Sequence, residues 1–358
     1  MKQEVFRPLY LNLSRVVAFL ISPYYYFFNF FKEVKPLHSI EIRTILVAEY
    51  HRIGDVLMIL PALRALKNKF NNAKIILICS PEASNLCTRL GIVDEVIPFQ
   101  PAWANWSFSP IKWYNSFTFA RSLGKRNIDL AVDFKGDIRN SCFLWNTNSK
   151  YSIGYISGGG EYFFSRPFPF PFTLHQTKRA LNLVSKIGAN GSLNRKSIIK
   201  NNPEGYIVFH SGAIDKRRQW PIKNWIKLIS SFPIGAKLAV VETDDSKNLA
   251  EEVKKNNLPV YVYQDNIVGF MNWLKNQRIL IAPDSMAGHL GAYLNIPVIS
   301  LFGAQNPELT KPLGDRVLVL KPNKKCDHIR DHWRLCSLCM NEIRPETVLK
   351  SIFKLIKY

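Results

Sequence analysis

From residue 44 onward, short apolar runs rich in β-branched residues alternate with amphipathic stretches. Thr44 to Glu49 (TILVAE) reads as a buried strand, Lys74 to Cys79 (KIILIC) as a second, Val96 to Phe99 as a third and Asp129 to Phe134 (DLAVDF) as a fourth. Between the first two, Asp55 to Lys69 has helical spacing, with Leu57, Leu60, Leu63, Leu66 and Phe70 on one face. Such alternation predicts a parallel sheet covered by helices on both sides. Trp103 to Tyr114 departs from the rhythm and reads as aromatic-rich loop, able to form a recognition wall.

The polar stretch Asn190 to Glu204, rich in Asn, Lys and Ser, reads as a linker. The alternation then restarts. Tyr206 to His210, Lys237 to Val241, Val260 to Tyr263, Ile279 to Ala282 and Val298 to Phe302 read as strands, with helices around Lys223 to Ser231, Lys247 to Asn256 and Ala287 to Leu294. The expected fold class is α/β, with two Rossmann-like parallel-sheet domains facing a central cleft. The expected divisions are an amino-terminal segment (1–40), a first domain (41–190), the linker (191–204), a second domain (205–345) and a carboxyl-terminal helix (346–358). In open α/β sheets ligands sit beyond the carboxyl ends of the strands, so function is sought there.

Residues 11–31 (LNLSRVVAFLISPYYYFFNFF) differ from everything after them. Tyr24, Tyr25, Tyr26, Phe27, Phe28, Phe30 and Phe31 cluster between Arg7 and Arg15 on one side and Lys32 and Lys35 on the other. Pro23 is expected to interrupt any helix here. Rings beside cations suit the lipid headgroup boundary, and the plainer alternative is an extra helix packed on the body of the protein. A signal peptide fits poorly, because no compact basic start leads to a small-residue cleavage site. No uninterrupted apolar run is long enough for an ordinary spanning helix.

Charge changes this picture. Lys and Arg number 48 against 27 for Asp and Glu, a formal net charge of +21 over 358 residues. An anionic partner is implied: nucleic acid, a phosphorylated substrate or an acidic membrane. No zinc-finger or RNP pattern supports nucleic acid. The 6 cysteines do not make a secreted disulfide scaffold, and Cys79, Cys87 and Cys142 read as reduced core thiols of a cytoplasmic protein.

Three predicted strand ends carry chemistry. In His51 to Asp55 (HRIGD), Gly54 permits a tight turn or a close approach to ligand. Asp55 falls at a helix amino terminus, as an N-cap or as a general base kept ionised by the helix dipole. In Ser211 to Pro221 (SGAIDKRRQWP), Lys216, Arg217 and Arg218 are a solvated charge run or a phosphate clamp. In Ala282 to Gly303 a strand ends at Asp284, and Ser285 to Gly288 begin a helix whose free N–H groups form a pyrophosphate seat. His289 either bonds a phosphate oxygen or packs between strand and helix. The G-x-G-x-x-G fingerprint is absent from both domains, which weakens a dehydrogenase reading.

Together these segments resemble glycosyltransferase family 9, the ADP-heptose:lipopolysaccharide heptosyltransferases, from about residue 44 to 350. The marks, in order, are IGDVLMILPALRAL, IGY at Ile153 to Tyr155, HQTKRALNLVSKIG at His175 to Gly188, KRRQWP, and DSMAGHLGAYLNIPVISLFG. The resemblance implies a GT-B fold and an inverting, metal-independent transfer that uses no cofactor. It makes the first domain the acceptor domain and the second the nucleotide-sugar domain. Asp55 would take the proton from the attacking hydroxyl. Arg218 stands where the family usually has Lys, and would neutralise the leaving diphosphate beside Lys216. Asp284, Ser285, Gly288 and His289 match the phosphate loop, and Glu242 is placed at the ribose. Gly54, Arg139 and Lys135 fall on the acceptor side, where Arg139 would meet carboxylates.

The partners so implied are a nucleotide-sugar donor, ADP-heptose, and an anionic lipid-linked saccharide of the lipopolysaccharide or lipooligosaccharide core, with no nucleic acid. The expected location is cytoplasmic, peripheral on the cytoplasmic face of the inner membrane. Two departures stand out: Met286 replaces a family Gly, and the Gly expected after the strand near Glu242 to Asp245 is missing. They keep open a same-fold transferase using another nucleotide sugar, beside a non-catalytic membrane-peripheral binder. Near the carboxyl terminus, Cys326, His328, His332, Cys336 and Cys339 have zinc-ligand types without a second C-x2-C pair. Structural zinc, reduced thiols and a labile disulfide all remain open there.

Overall fold

The computed structural model describes residues 8–32, 35–105, 107–193, 202–323, 326, 336 and 338–356. Residues 194–201 of the expected linker, as well as Arg7, His328 and His332, lie outside the described residues. The chain divides into two compact units, Met1–Leu193 and Asn194–Tyr358.

The first unit opens with α1 (Pro8–Phe30). It continues through β1 (Thr44–Glu49), α2 (Ile53–Lys69), β2 (Lys74–Cys79), α3 (Pro81–Leu90), β3 (Glu95–Pro98) and α4 (Pro110–Leu123). Then follow β4 (Leu130–Asp133), α5 (Ile138–Trp145), β5 (Tyr151–Ile156), β6 (Arg166–Pro169) and α6 (Gln176–Ser185). The six strands form one parallel sheet in the order β3-β2-β1-β4-β5-β6. Central β1 is buried from Ile45 onward and pairs in register with β2, Thr44 to Lys74 through Glu49 to Cys79. Edge strand β6 tolerates Pro167 and Pro169, which lack the ladder N–H. Strand order reverses between β1 and β4, so their carboxyl ends form a topological switch point.

Two expectations are corrected in this unit. Trp103 to Tyr114 is not a loop wall: Ala102–Asn105 is a 3-10 turn and α4 starts at Pro110, a residue suited to a first helical turn. Trp103 is buried against Tyr50, Phe143 and Phe117, and its indole N–H bonds Asn140 Oδ1 at 2.9 Å. Pro23, in turn, does not interrupt α1. Proline removes the N–H that would reach the Phe19 carbonyl, and the Ser22 hydroxyl donates to that carbonyl instead, at 2.8 Å.

One face of α1 docks on the first unit. Ser14 Oγ donates to the Gly158 carbonyl, Tyr162 OH to that of Ala18, and Asn29 both donates to the Tyr162 carbonyl and accepts from the Trp145 indole. The Tyr25 ring packs among Tyr162, Trp145 and Phe163. The other face leaves Leu13, Leu20 and Phe27 exposed, and Phe31, just past the helix end, is exposed too. No helix among the described residues is long and apolar enough to cross a membrane.

The second unit repeats the plan with β7 (Ile207–Phe209), α7 (Ile222–Ile229), β8 (Leu238–Val241), α8 (Lys247–Lys255), β9 (Tyr261–Tyr263) and α9 (Ile267–Leu274). It continues with β10 (Ile279–Pro283), α10 (Met286–Tyr293), β11 (Val298–Leu301), α11 (Pro307–Thr310), β12 (Val317–Leu320) and α12 (Pro345–Ile356). The parallel order is β12-β11-β10-β7-β8-β9, with its switch point between β7 and β10. Phe209, Trp220, Trp225, Leu228 and Ile281 lie in its buried core, where each large apolar side chain contributes on the order of 2–3 kcal/mol.

Candidate active site

In the first unit the charged groups gather at the β1/β4 switch point. Glu49 ends β1 with no exposure at all, and Asp55 sits in the first turn of α2. Lys135, in the loop after β4, reaches both: its ammonium lies 3.0 Å from Asp55 Oδ1 and 3.2 Å from Glu49 Oε1. Gln176, the first residue of α6, donates to Asp55 Oδ1 at 2.7 Å, and His51 Nδ1 lies 3.3 Å from Glu49 Oε1. Burial opposes ionisation of Asp55, but Lys135, His51 and Gln176 together outweigh it and hold the carboxyl well below its usual range. Lys135 also loses solvation, yet its two carboxylates raise its pKa. The site therefore holds an ionised carboxylate at a partly open position, 18% exposed.

Asp55 is not an N-cap. Arg52 occupies that position with no side-chain capping bond, and Asp55 lies three residues inside. Gly54 lies in the first turn of α2 and is not among the glycines with positive φ, so the tight-turn reading is not what it provides. The glycine that matters for the turn is Gly136, with φ +69°; an added Cβ would lie 2.9 Å from the Phe170 ring and 3.0 Å from the Tyr155 carbonyl. It shapes the loop that delivers Lys135. Arg139 is held by Asp137, the α5 N-cap, whose carboxylate takes both its guanidinium and its backbone N–H. Its expected meeting with substrate carboxylates would start from this internal ion pair.

Three further residues complete the cluster without having been singled out from the sequence. Asp133, at the end of β4, is raised to about 7, chiefly by burial with help from Asp137 and Glu49. Arg179 on α6 stacks over the Phe170 ring at 4.3 Å, and burial lowers its pKa to about 10. Glu49 is the third. The available signal was an acidic residue closing an otherwise apolar strand, as in TILVAE and LAVD.

In the second unit the β7/β10 switch point carries the cationic run. Lys216–Arg218 is a 3-10 turn capped by Asp215, which accepts the Arg217 N–H and pairs with its guanidinium at 2.6 Å. Arg218 instead faces buried Asp284, 3.3 Å away, at the end of β10. Lys216 is exposed. Ser285 is the N-cap position of α10 but makes no side-chain capping bond. Its buried Oγ and the buried Arg218 Nε meet no hydrogen-bond partner among the described residues. Such atoms are costly to leave unpaired, and both are donors beside a helix amino terminus, so the arrangement suits an anion.

The remaining expected donor residues fall into place less directly. Gly288 faces inward, where an added Cβ would lie 3.1 Å from Pro312 and 3.5 Å from Ser300 Oγ; it lets α10 approach its neighbours. His289 is buried on α10. Glu242 follows β8 and its carboxylate pairs with Lys254 at 3.1 Å. Gly212, after β7, abuts the Asp245 carboxylate so closely that a Cβ would lie 2.5 Å from it. His210, two residues before Gly212, is buried, and that burial lowers its pKa.

A family described as glycosyltransferase family 9 (heptosyltransferase) matches residues 116–335, more than half of the chain. The chain is similar to lipopolysaccharide heptosyltransferase 1 of Pseudomonas aeruginosa, 22% identical over 346 residues that cover 85% of this chain and 95% of that protein. Among solved structures it is similar to the E. coli heptosyltransferase WaaC with ADP-2-deoxy-2-fluoro heptose (TM-score 0.69, 18% identity, 87% of this chain and 99% of that one). It is also similar to a family 9 glycosyltransferase of Veillonella parvula (TM-score 0.71, 16% identity, 89% and 99%). These two likenesses are of the fold, which is GT-B.

Proposed function

Because the chain belongs to glycosyltransferase family 9, we propose that it is an inverting, metal-independent transferase moving heptose from ADP-heptose onto a lipopolysaccharide or lipooligosaccharide core. The observation that carries this reading is Asp55, an ionised and partly exposed carboxylate fixed by Lys135 and Gln176 at a switch point. The donor assignment rests on the relatives, one of which was solved with a fluorinated ADP-heptose analogue. In the reaction the acceptor oxygen attacks the anomeric carbon, the bond to the diphosphate breaks, and the hydroxyl proton passes to Asp55. A carboxylate of depressed pKa is a weak base toward a free alcohol. It becomes competent late, once bond formation has made the hydroxyl proton acidic. Arg218, Ser285 and the α10 amino terminus stabilise the charge growing on the departing ADP.

Acceptor anions would be met by Lys135 and Arg139, once drawn from their internal partners. The exposed aromatic face of α1 and the net charge of +21 support docking of the protein at an anionic membrane surface, on the cytoplasmic face of the inner membrane. A second reading, transfer from another nucleotide sugar, is favoured by Met286 at the first position of α10, where the family usually has Gly.

The test is nucleotide release from ADP-, GDP- and UDP-sugars with total lipooligosaccharide as acceptor, run beside Asp55→Asn. Asn keeps an oxygen for Gln176 but no negative charge. Acceptor-dependent ADP release from ADP-heptose, reduced about 10²–10⁴-fold in the variant, is expected. Release from a different donor moves the function to the second reading. Nucleotide binding without any turnover would refute both and leave a saccharide or nucleotide binder.

A further inference from the structure

Cys326, Cys336 and Cys339 hold their sulfur atoms within 4.8 Å of one another, and none is in a disulfide. Cys336 and Cys339 are buried and Cys326 is half-buried. A disulfide would use two of these sulfurs and strand the third. A tetrahedral zinc, with bonds of about 2.3 Å, would hold three sulfurs about 3.8 Å from each other, inside the 4.8 Å span of the cluster.

A second observation points the same way. The Leu338 backbone N–H donates to Cys336 Sγ at 3.3 Å. An amide donor of this kind orients a sulfur as a ligand.

We propose that Cys326, Cys336 and Cys339 form a structural zinc site, completed by one nitrogen or oxygen donor. On binding, three S–H protons pass to solvent, three sulfur–zinc bonds form, and no electron is transferred. The site ties Cys326 to the 3-10 turn Cys339–Glu342. Met340 of that turn packs so tightly on Gly303 that a Cβ there would lie 2.9 Å from it. Ile343, just beyond, accepts the Trp220 indole N–H through its carbonyl at 3.0 Å. Trp220 stands two residues after Arg218, so the zinc would steady the loop that carries the proposed diphosphate contact. This last consequence rests on the donor role proposed above; the metal site does not.

The full chain, purified under reducing conditions after growth with zinc, is expected to carry one zinc per chain by elemental mass spectrometry. Cys326→Ser, Cys336→Ser and Cys339→Ser each lose it, while Cys87→Ser keeps it. Should the variants misfold, cobalt reconstitution of the unmodified protein decides. Intense thiolate-to-cobalt charge-transfer bands with a tetrahedral visible spectrum support the site, and an octahedral, sulfur-free spectrum overturns it. Substoichiometric zinc after reconstitution with excess zinc also overturns it. Chelation should lower the thermal midpoint by several degrees and raise the KM for donor more than it changes kcat. Zinc binding without that KM effect would retain the site and refute only its link to Arg218.

Discussion

Lys135→Met tests whether the charges at the β1/β4 switch point act as one electrostatic unit. The ammonium sits 3.0 Å from Asp55 and 3.2 Å from Glu49, with the three side chains 17%, 18% and 0% exposed. Two carboxylate oxygens that close to one nitrogen are no more than about 6 Å apart, and at an effective dielectric near 20 they repel by about 2–3 kcal/mol. Methionine keeps the aliphatic stem and deletes the charge. Removing one partner of a largely buried pair costs about 3–5 kcal/mol, and the expected loss at pH 8 falls in that range.

The pH dependence gives the sharper result. In the native unit the Asp55 carboxyl lies well below its usual range, so its contribution is complete above about pH 4 and is lost as pH falls through the depressed native pKa. Without Lys135 the Asp55 carboxyl loses its largest favourable partner, burial then pushes it upward, and protonating it relieves the repulsion. Lys135→Met should therefore recover about 1–3 kcal/mol relative to wild type as pH falls from 8 to 5. Asp133, raised to about 7, titrates in both proteins and largely cancels in the difference. The assay is urea unfolding by tryptophan fluorescence, with Lys135→Arg as the charge-retaining control. Only the transition that the substitution moves is compared, since two units need not unfold together. A pH-independent loss below about 1 kcal/mol, the size of an exposed pair, would refute the reasoning.

Arg218→Lys should raise the KM for donor about tenfold with a smaller change in kcat, because lysine cannot reproduce a bidentate guanidinium contact; nucleotide-release kinetics measure this. Gly154→Ala should destabilise the first unit by about 1–3 kcal/mol in a thermal melt, since the new Cβ would lie 2.2 Å from the Phe164 ring. The pair Phe27→Asp and Phe31→Asp, 61% and 70% exposed, should leave the melt unchanged and sharply reduce co-sedimentation with vesicles containing anionic phosphatidylglycerol. Wild-type binding to the same vesicles should weaken with salt. Tyr25→Ala, by contrast, should lower the melting midpoint, because that ring packs among Tyr162, Trp145 and Phe163.

Buried strands were the most legible part of this chain. β1 and β2 have the ends expected from TILVAE and KIILIC, because a strand buried on both faces leaves an unbroken apolar run. The half-buried edge strands β3 and β9 also fell where expected, whereas β6, which contains two prolines, short and partly buried β12, and inner strand β5 had no strand assigned from the sequence. The start of α4 reads as loop from the sequence because the aromatics of Trp103 to Tyr114 suggest a surface wall. Only packing against Trp103 and Tyr50 makes that region part of a core.

The motifs containing Asp55, Arg218 and Ser285 could be located along the chain, because strand ends and helix starts leave local marks. Their electrostatic partners could not. Gln176 meets Asp55 across 121 positions, and Lys135 joins Glu49 to Asp55 only because β4 lies beside β1 in the sheet. Local periodicity reports which backbone segments are buried; strand order then decides which charges become neighbours. Tertiary packing likewise closed Gly288 against Pro312. Partnerships of this kind depend on separations of a few ångströms between segments far apart in the chain, which no local pattern encodes.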